Sequence, residues 1–300
     1  TYVRDYDSAN KIKRIACGPN VDDYHWTREV MDKVKHHAQG ISLHYYTIPG
    51  DTWEHKGSAT QFDTKEYYKT IAKAYRIEEL INNHIAVMNS INPQQWVQLI
   101  VDEWGTWYDV EPGTNPGFLY QQNTMRDAMV AALTLNIFNK HSDRIMMANI
   151  AQTVNVLQAM ILTDAEKMVL TPTYYVFKMF KEHQNNMLLG SFITSDTIES
   201  KEAKMSCPML IESASIDENG VIYSTIANVS DKKPAKIKCQ IADRKIKSIK
   251  AEILCGDIHD KNDFENGDNV KIEEFTDFRQ LKDGFTATLP ACSVVKFIIE

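Results

Sequence analysis

The sequence predicts an α/β region built on a parallel sheet, followed by an all-β domain. In the first half of the 300 residues, short apolar strands alternate with long amphipathic helices, a pattern typical of a parallel sheet covered by helices. After about Asn185, short β-type runs separated by turn signals replace this alternation, which indicates an antiparallel sandwich of roughly a hundred residues. We therefore expect one domain at 1–184 and a β-sandwich domain at 185–300.

Four apolar runs in the first domain predict strands, and they lie at 14–17, 41–46, 97–104 and 144–150. Helical patterns lie between them. The second helix begins near Asp63, which opens a capping box, and keeps apolar residues at helical spacing as far as Met88. The third covers 128–138. The fourth begins at Thr171, a hydroxyl cap followed by proline in the first turn, and ends near His183.

Four strand–helix units of this kind fit either half of a (β/α)8 barrel or a small doubly wound sheet. No Gly-rich phosphate loop follows any of the four runs, so a nucleotide-binding doubly wound fold loses support. In the second domain, β-type runs lie at 209–216, 221–227, 235–241, 246–254, 270–274 and 293–299. Turn signals such as Asn219-Gly220 separate several of these runs.

Composition and charge exclude several classes of partner. The net charge is −7 with no basic block, which argues against nucleic acid, and no apolar run approaches the roughly 18 residues of a membrane span. The five cysteines are widely spaced, and no His pair has the spacing of a metal-binding helix, so we predict no disulfide framework, no metal and no cofactor. Reduced cysteines favour a cytoplasmic protein. Because the chain opens at Thr1 and not at Met, we expect its true N-terminus to lie upstream.

Polar side chains gather where the four predicted strands end, which is where a parallel barrel carries its active site. They are Asn20, His44, Tyr46, Asp102, Glu103, Trp104, Asn149 and Gln152. Because side chains alternate along a strand, Glu103 shares a face with Leu99 and Val101 and would stand at the barrel mouth. Asp102 would point the other way and need a partner of its own. A cluster of this composition suits a hydroxylated ligand.

Each of these residues, taken alone, also has a purely structural explanation. A glutamate at a strand end is commonly a solvated carboxylate, and His44 fits a hydrogen-bonded core histidine equally well. Tyr46 and Trp107 fit buried aromatic residues with a polar edge, and Gln152 fits a residue that caps or bridges a loop. The functional interpretation therefore depends on their occurring together.

Five stretches together resemble glycoside hydrolase family 51, the α-L-arabinofuranosidases, in the family's order and over nearly the whole chain. They are 15–18 (IACG), 41–46 (ISLHYY), 101–105 (VDEWG), 148–155 (ANIAQTVN) and 289–295 (LPACSVV). The Asp-Glu-Trp strand end and the Asn-Ile-Ala-Gln-x-Val-Asn segment are fairly specific as a pair, and neither would suffice alone.

The resemblance implies that the four strands are the fifth to eighth of a (β/α)8 barrel, and that a jelly-roll-like antiparallel β-sandwich follows. It implies a retaining glycosidase with its nucleophile at Glu103, supported by Tyr46, and with an arabinose-binding amide at Gln152. Trp107, four residues after the nucleophile, matches an aromatic residue near the family's active site. The predicted substrate-binding residues are His44, Tyr46, Trp107, Asn149 and Gln152.

The sequence departs from the family pattern in one respect. The family's general acid/base is a glutamate in a Gly-Asn-Glu motif at the end of strand four, and this sequence has no Asn-Glu dipeptide. The acid/base and the first half of the barrel would then lie upstream of Thr1 or on a companion chain. We expect the 300 residues alone to be poorly soluble and inefficient, because half a barrel leaves two apolar sheet edges open.

The implied substrates are arabinofuranosyl oligosaccharides and polysaccharides, and the implied assembly is a homo-oligomer. Two alternatives stay open at this stage. One is another barrel glycosidase with a strand-seven nucleophile, such as an endo-glycanase, which a long cleft with several exposed aromatic residues would favour. The other is a non-catalytic fragment or a sugar-binding module.

Overall fold

The computed structural model describes residues 4, 5, 7 and 9–300, and its first part alternates strands with helices. These elements are β1 (Ile15–Ala16), α1 (Tyr24–Val34), β2 (Gly40–Thr47), α2 (Thr64–Tyr75), α3 (Ile77–Ile91), β3 (Gln98–Thr106), α4 (Met125–Lys140) and β4 (Ile145–Ile150). The four strands form one sheet in the order β1-β2-β3-β4, and β1 pairs with β2 in parallel. The four predicted strands are therefore confirmed.

The predicted second helix is wrong in one respect, because the structure divides it into α2 and α3 on either side of Arg76. The N–H of Arg76 donates to the carbonyls of Lys73 and Ala74, so the last turn of α2 is tighter than a regular α-helical turn. The predicted start is confirmed, since the Asp63 carboxylate caps α2 by accepting a hydrogen bond from the N–H of Glu66 at 2.9 Å.

The rest of the chain is mainly β-structure. Its elements are β5 (Ile161–Asp164), β6 (Lys167–Leu170), α5 (Pro172–Phe180), β7 (Met187–Leu189), β8 (Thr197–Ser200), β9 (Met205–Pro208), β10 (Leu210–Ile216), β11 (Ile222–Asn228), β12 (Ala235–Gln240), β13 (Ile249–Cys255), β14 (Glu273–Glu274), β15 (Phe278–Gln280), β16 (Gly284–Leu289) and β17 (Ser293–Ile299). Thr171 caps α5 as predicted. The hairpin of β5 and β6 and several short strands were not predicted, and the run at 270–274 is a strand only in β14.

Two antiparallel sheets form the predicted sandwich, which is thereby confirmed. One has the order β14-β13-β17-β11-β10-β7 and the other the order β12-β16-β15. Their apolar faces meet in one core, where the rings of Phe285 on β16 and Phe297 on β17 lie 4.2 Å apart between centroids and are fully buried. Burial of these large rings removes apolar surface from water and so stabilises this domain.

The chain divides into two compact units, each made of several segments. The first comprises the described residues up to Tyr45, with Ile77–Trp104 and His141–Asn149, and the second comprises Tyr46–Arg76, Gly105–Lys140 and Ile150–Glu300. In the first unit, α1 packs on α3 around the buried His84, whose Nδ1 lies 2.9 Å from Thr27 Oγ1. The domain boundary at 184/185 remains a prediction. Within the described part of the chain, every helix is too short or too polar to cross a membrane.

A polar layer joins α4 to the six-stranded sheet inside the second unit. The Oδ1 atom of Asn136 accepts hydrogen bonds from the hydroxyls of Ser213 and Thr225, both at 2.7 Å. His183 lies against the same layer, with Nε2 at 3.0 Å from Thr225 Oγ1 and Nδ1 at 2.8 Å from Ser215 Oγ. Because Thr225 donates its one proton to Asn136, Nε2 of His183 carries the ring proton and Nδ1 accepts from Ser215. The neutral imidazole is therefore fully hydrogen-bonded.

This buried histidine gives the fold a pH dependence. Burial, with a smaller contribution from the charge of Lys296, lowers the pKa of His183 from 6.5 to about 4. The stabilisation is fully present above the unfolded pKa and is lost as the pH falls towards the folded one, because the unfolded chain takes up a proton that the folded chain resists. We expect the free energy of unfolding to fall by about 2 kcal/mol from this residue between pH 7 and pH 5.

Urea unfolding of the wild-type protein and of His183→Gln at the two pH values measures this contribution, since glutamine does not titrate. His25, which is exposed, provides the matched control as His25→Gln. An equal fall in stability for wild type and His183→Gln would contradict the assignment.

Candidate active site

The ends of β2 and β3 bring a histidine and two carboxylates together in the first unit. His44 Nε2 lies 3.0 Å from Asp102 Oδ1, and His44 Nδ1 lies 3.5 Å from Glu103 Oε2. All three side chains keep part of their surface exposed to solvent. The site therefore presents a carboxylate beside an imidazole at a position that a ligand can reach.

The strand alternation explains how Glu103 reaches this position. Leu99 and Val101 are buried, and alternation along β3 places the half-exposed Glu103 on their face, three residues before the strand ends at Thr106. The expected partner of Asp102 is His44, which it shares with Glu103, because the two nitrogens of the ring face one carboxylate each. The imidazole is wide enough for its two edges to approach successive side chains of the neighbouring strand.

Neither contact of His44 has the geometry of a strong, directed hydrogen bond. The distance to Glu103 is longer than that of a strong hydrogen bond. Asp102 Oδ1 is shielded from solvent and accepts no hydrogen bond from the described residues, although His44 Nε2 lies 3.0 Å away. A ring proton on either nitrogen is attracted to a carboxylate, so His44 restrains the orientation of Glu103.

The other predicted residue of the first unit, Asn149, is exposed on β4. Its amide nitrogen lies 3.3 Å from the sulfur of Met147. Asn20 pairs with His44 in an isolated parallel bridge, which confirms that the end of the first strand adjoins the end of the second. The structure thus brings His44, Asp102 and Glu103 together.

Aromatic residues predicted to bind substrate lie together in the second unit. The rings of Tyr46 and Trp107 meet edge to face, with centroids 5.0 Å apart. A residue that was not predicted extends them, because the ring of Trp53 lies 5.4 Å from that of Trp107 at an interplanar angle of 74°. We call these three side chains, in which Trp107 contacts each of the other two, the aromatic row. The segments carrying them are held together by the N–H of Trp107, which donates to the carbonyl of Thr47 at 3.0 Å.

A buried carboxylate holds the backbone on both sides of Trp107. Asp127, the third residue of α4, is fully buried, and its Oδ1 accepts hydrogen bonds from the hydroxyls of Thr106 at 2.5 Å and Tyr108 at 3.0 Å. Its Oδ2 accepts from the N–H of Thr124 at 2.8 Å. Because Thr106 and Tyr108 point inward to Asp127, the residue between them points to the opposite side. Burial raises the pKa of the Asp127 carboxyl above its usual value.

Arg126 shares this buried environment. Its guanidinium lies 3.7 Å from the ring centroid of Phe62 and 4.1 Å from that of Tyr108, and it donates to the carbonyl oxygens of Ser58 at 2.8 Å and Ala59 at 3.1 Å. The positive charge lies next to Asp127 and partly offsets the effect of burial on that carboxyl. The region behind Trp107 is therefore fixed by charge, hydrogen bonds and ring packing together.

The last predicted residue, Gln152, lies in the loop after β4. Its side chain is exposed, the peptide bond that precedes it is cis, and its N–H donates to the carbonyl of Val156 at 3.2 Å. The amide is therefore available to a ligand. In the described part of the chain, no group of three His, Cys, Asp or Glu side chains is placed to hold a metal ion.

Comparison with known proteins identifies relatives over the whole chain. A family model described as the α-L-arabinofuranosidase C-terminal domain matches residues 102–293. The chain is 44% identical to an intracellular exo-α-L-arabinofuranosidase of Bacteroides ovatus, over 100% of this chain and 58% of that protein. The chain thus spans less than two thirds of the length of this relative.

Solved structures agree with the sequence relatives. The chain is similar to the GH51 arabinofuranosidase of Xanthomonas axonopodis pv. citri, with 39% identity and a TM-score of 0.94 over 98% of this chain and 59% of that one. It is also similar to an α-L-arabinofuranosidase of Thermotoga maritima, solved as an arabinose complex, with 25% identity and a TM-score of 0.79 over 97% and 58% of the two chains.

Proposed function

The chain belongs to the α-L-arabinofuranosidases of glycoside hydrolase family 51, as their C-terminal part, and from that premise we propose that the complete protein removes terminal non-reducing α-L-arabinofuranosyl residues from oligosaccharides and polysaccharides. The fold is that of the family, the second half of a (β/α)8 barrel followed by an antiparallel β-sandwich. The observation that carries the proposal is the half-exposed Glu103 at the end of β3, with His44 beside its carboxylate.

The mechanism proposed is double displacement with retention of configuration. A carboxylate oxygen of Glu103 attacks the anomeric carbon, the glycosidic bond breaks, and the leaving oxygen takes a proton from a second carboxylic acid. That acid, now a carboxylate, then removes a proton from water, whose oxygen attacks the anomeric carbon and releases Glu103. We place the second acid outside these 300 residues, at about 5–5.5 Å from Glu103 in the assembled site.

The remaining residues divide between positioning and binding. We propose that His44 restrains the Glu103 carboxylate and that its half-exposed ring also contacts the sugar. We propose that the Tyr46 hydroxyl supports Glu103, that Trp107 packs against the sugar, and that Gln152, with Asn149, binds sugar hydroxyls without taking part in proton transfer, because an amide does not titrate. A crystal of the complete protein with bound arabinose tests these roles. A Tyr46 hydroxyl beyond hydrogen-bond distance of Glu103 would refute the supporting role of Tyr46. A Gln152 amide beyond hydrogen-bond distance of the sugar would refute its binding role.

One experiment tests both the function and the stereochemistry. The complete protein hydrolyses an aryl α-L-arabinofuranoside, and proton NMR monitors the reaction as it proceeds. We expect the α-anomer of arabinose to appear first, because two successive inversions at the anomeric carbon restore the configuration. First appearance of the β-anomer would exclude double displacement. Cleavage of a polysaccharide within its chain, without release of arabinose, would favour an endo-glycanase.

We also propose an intracellular location and a homo-oligomeric assembly. The location is proposed because the Bacteroides ovatus relative is described as intracellular, and the assembly is proposed from the family resemblance. The division into a catalytic part at 1–184 and a sandwich at 185–300 belongs to the same proposal. Cell fractionation and light scattering of the complete protein test the first two, and a protein found outside the cell or monomeric at working concentration would refute the corresponding point.

A further inference from the structure

Trp53 extends the aromatic row beyond the two residues assigned to the arabinose. We propose that Trp53 is a stacking platform for the sugar that leaves on hydrolysis, the residue to which the terminal arabinofuranose is attached. This inference rests on the function proposed above and adds a specificity-determining residue to it.

The geometry of the row supports this assignment. Trp107 contacts both other rings, with its centroid 5.0 Å from that of Tyr46 and 5.4 Å from that of Trp53. If Trp107 contacts the arabinose, Trp53 lies one ring away from that sugar, within reach of the residue to which the sugar is attached. The apolar faces of sugar rings pack on indole rings, which present a large, rigid, apolar surface.

The exposure of Trp53 fits a binding role. Trp53 is 54% exposed although its ring contacts that of Trp107, so an apolar surface is left open beside Trp107. Exposed aromatic clusters of this kind mark binding surfaces more often than isolated exposed rings do. The leaving-group sugar, when it packs against Trp53, covers this apolar surface and removes it from water.

The loop that carries Trp53, residues 48–57, is fixed to the segment after β3. The carboxylate of Asp109 accepts hydrogen bonds from the N–H groups of Lys56 at 3.2 Å and Gly57 at 3.1 Å. The N–H of Asp109 donates to the carbonyl of Gly57 at 2.9 Å, and the N–H of Gly50 donates to that of Lys56 at 2.8 Å. Gly57 has φ of +96°, a backbone conformation that side chains disfavour.

Lysines fix the same loop from two further sides. On α2, Lys73 Nζ donates to the carbonyls of Ile48 at 3.1 Å and Gly50 at 2.6 Å. Within the loop, Lys56 Nζ donates to the carbonyl of Trp53 at 2.9 Å and lies 5.9 Å from the ring centroid of Trp107. The platform is thus held in place before a ligand arrives, so binding requires little ordering of the loop.

The test compares two substrates of the complete protein that differ only in the leaving group, an arabinofuranosyl oligosaccharide and methyl α-L-arabinofuranoside. We expect Trp53→Ala to lower kcat/KM about tenfold on the oligosaccharide and less than about twofold on the methyl glycoside, because methanol does not reach the platform. Trp53→Phe, which keeps an aromatic face, should retain most of the activity on both. Trp96 precedes β3, is 48% exposed, and gives the matched control as Trp96→Ala, with an unchanged ratio between the substrates.

Two results would overturn the platform while leaving the proposed function intact. They are an equal loss on both substrates, which would place Trp53 at the arabinose or in the fold, and no loss on either. A wild-type protein that hydrolyses neither substrate would instead refute the proposed function itself, and the platform with it.

Discussion

Replacing Glu103 by alanine is expected to lower kcat on an aryl arabinofuranoside by about a thousandfold or more, which corresponds to roughly 4 kcal/mol of lost transition-state stabilisation. Alanine cannot form the glycosyl ester, so the first displacement has no nucleophile. The fold should survive, because the Glu103 side chain is half-exposed and lies 3.5 Å from His44, beyond the distance of a strong hydrogen bond. Urea unfolding should therefore show little change in stability.

Azide gives this variant a distinctive signature. A small anion entering the space left by the carboxylate can attack the anomeric carbon, so azide should restore turnover and yield the arabinosyl azide of inverted configuration. Glu166, exposed at the turn between β5 and β6, serves as control in Glu166→Ala, which should be unaffected with or without azide. In the wild-type protein, a mechanism-based fluorinated arabinosyl inhibitor should label Glu103. Near-normal turnover of Glu103→Ala, or labelling at another carboxylate, would refute the assignment.

Replacing Asp127 by alanine is expected to lower the free energy of unfolding by about 3–5 kcal/mol. The substitution removes the acceptor of three buried donors, and it leaves the Tyr108 hydroxyl and the N–H of Thr124 unpaired, while the Thr106 hydroxyl can still donate to Gln158 Oε1 at 3.2 Å. It also removes the negative charge next to the fully buried guanidinium of Arg126, which keeps its ion pair with Glu66 at 3.3 Å. The measurement is urea unfolding at neutral pH. An exposed carboxylate on β5 supplies the control, Asp164→Ala, which should change stability by less than about 0.5 kcal/mol.

The more conservative Asp127→Asn separates stability from function. Asparagine keeps one oxygen for Thr106 and Tyr108, but it turns an amide donor towards the N–H of Thr124. The protein should remain folded at room temperature, while Trp107, between the two anchored residues, loses its fixed position. We expect turnover to fall even under conditions where the variant is fully folded. A change in unfolding free energy below about 1 kcal/mol for Asp127→Ala would contradict the role described for this carboxylate.

Residues at strand ends were the part of the site that the sequence could predict. Apolar runs marked the strands, and alternation assigned Glu103 to the face of Leu99 and Val101 at a half-exposed position. The contact of His44 with Asp102 could not be predicted in the same way. It depends on the reach of a side chain between two strands, which alternation along one strand does not describe.

Breaks and turns without glycine or proline escaped prediction. The chain passes from α2 to α3 at Arg76, which carries no helix-breaking property of its own. The turn between β5 and β6 includes Ala165 at a φ of +49°, a conformation for which sequence patterns expect glycine or asparagine. Trp53 was missed for a different reason. A single aromatic residue in a loop has no periodicity, and only its contact with Trp107 reveals a role.

The polar layer between α4 and the six-stranded sheet bears on attempts to recombine this enzyme with its relatives. Asn136 belongs to the helical part of the sequence, while its hydrogen-bond partners Ser213 and Thr225 belong to the β-sandwich. A chimaera that takes residues 185–300 from a distant homologue would place unmatched side chains against a buried amide. We therefore expect a grafted sandwich to be stable only when Asn136 and its two hydroxyl partners are transferred together. The sandwich is in this sense structurally coupled to α4 and is not an interchangeable module.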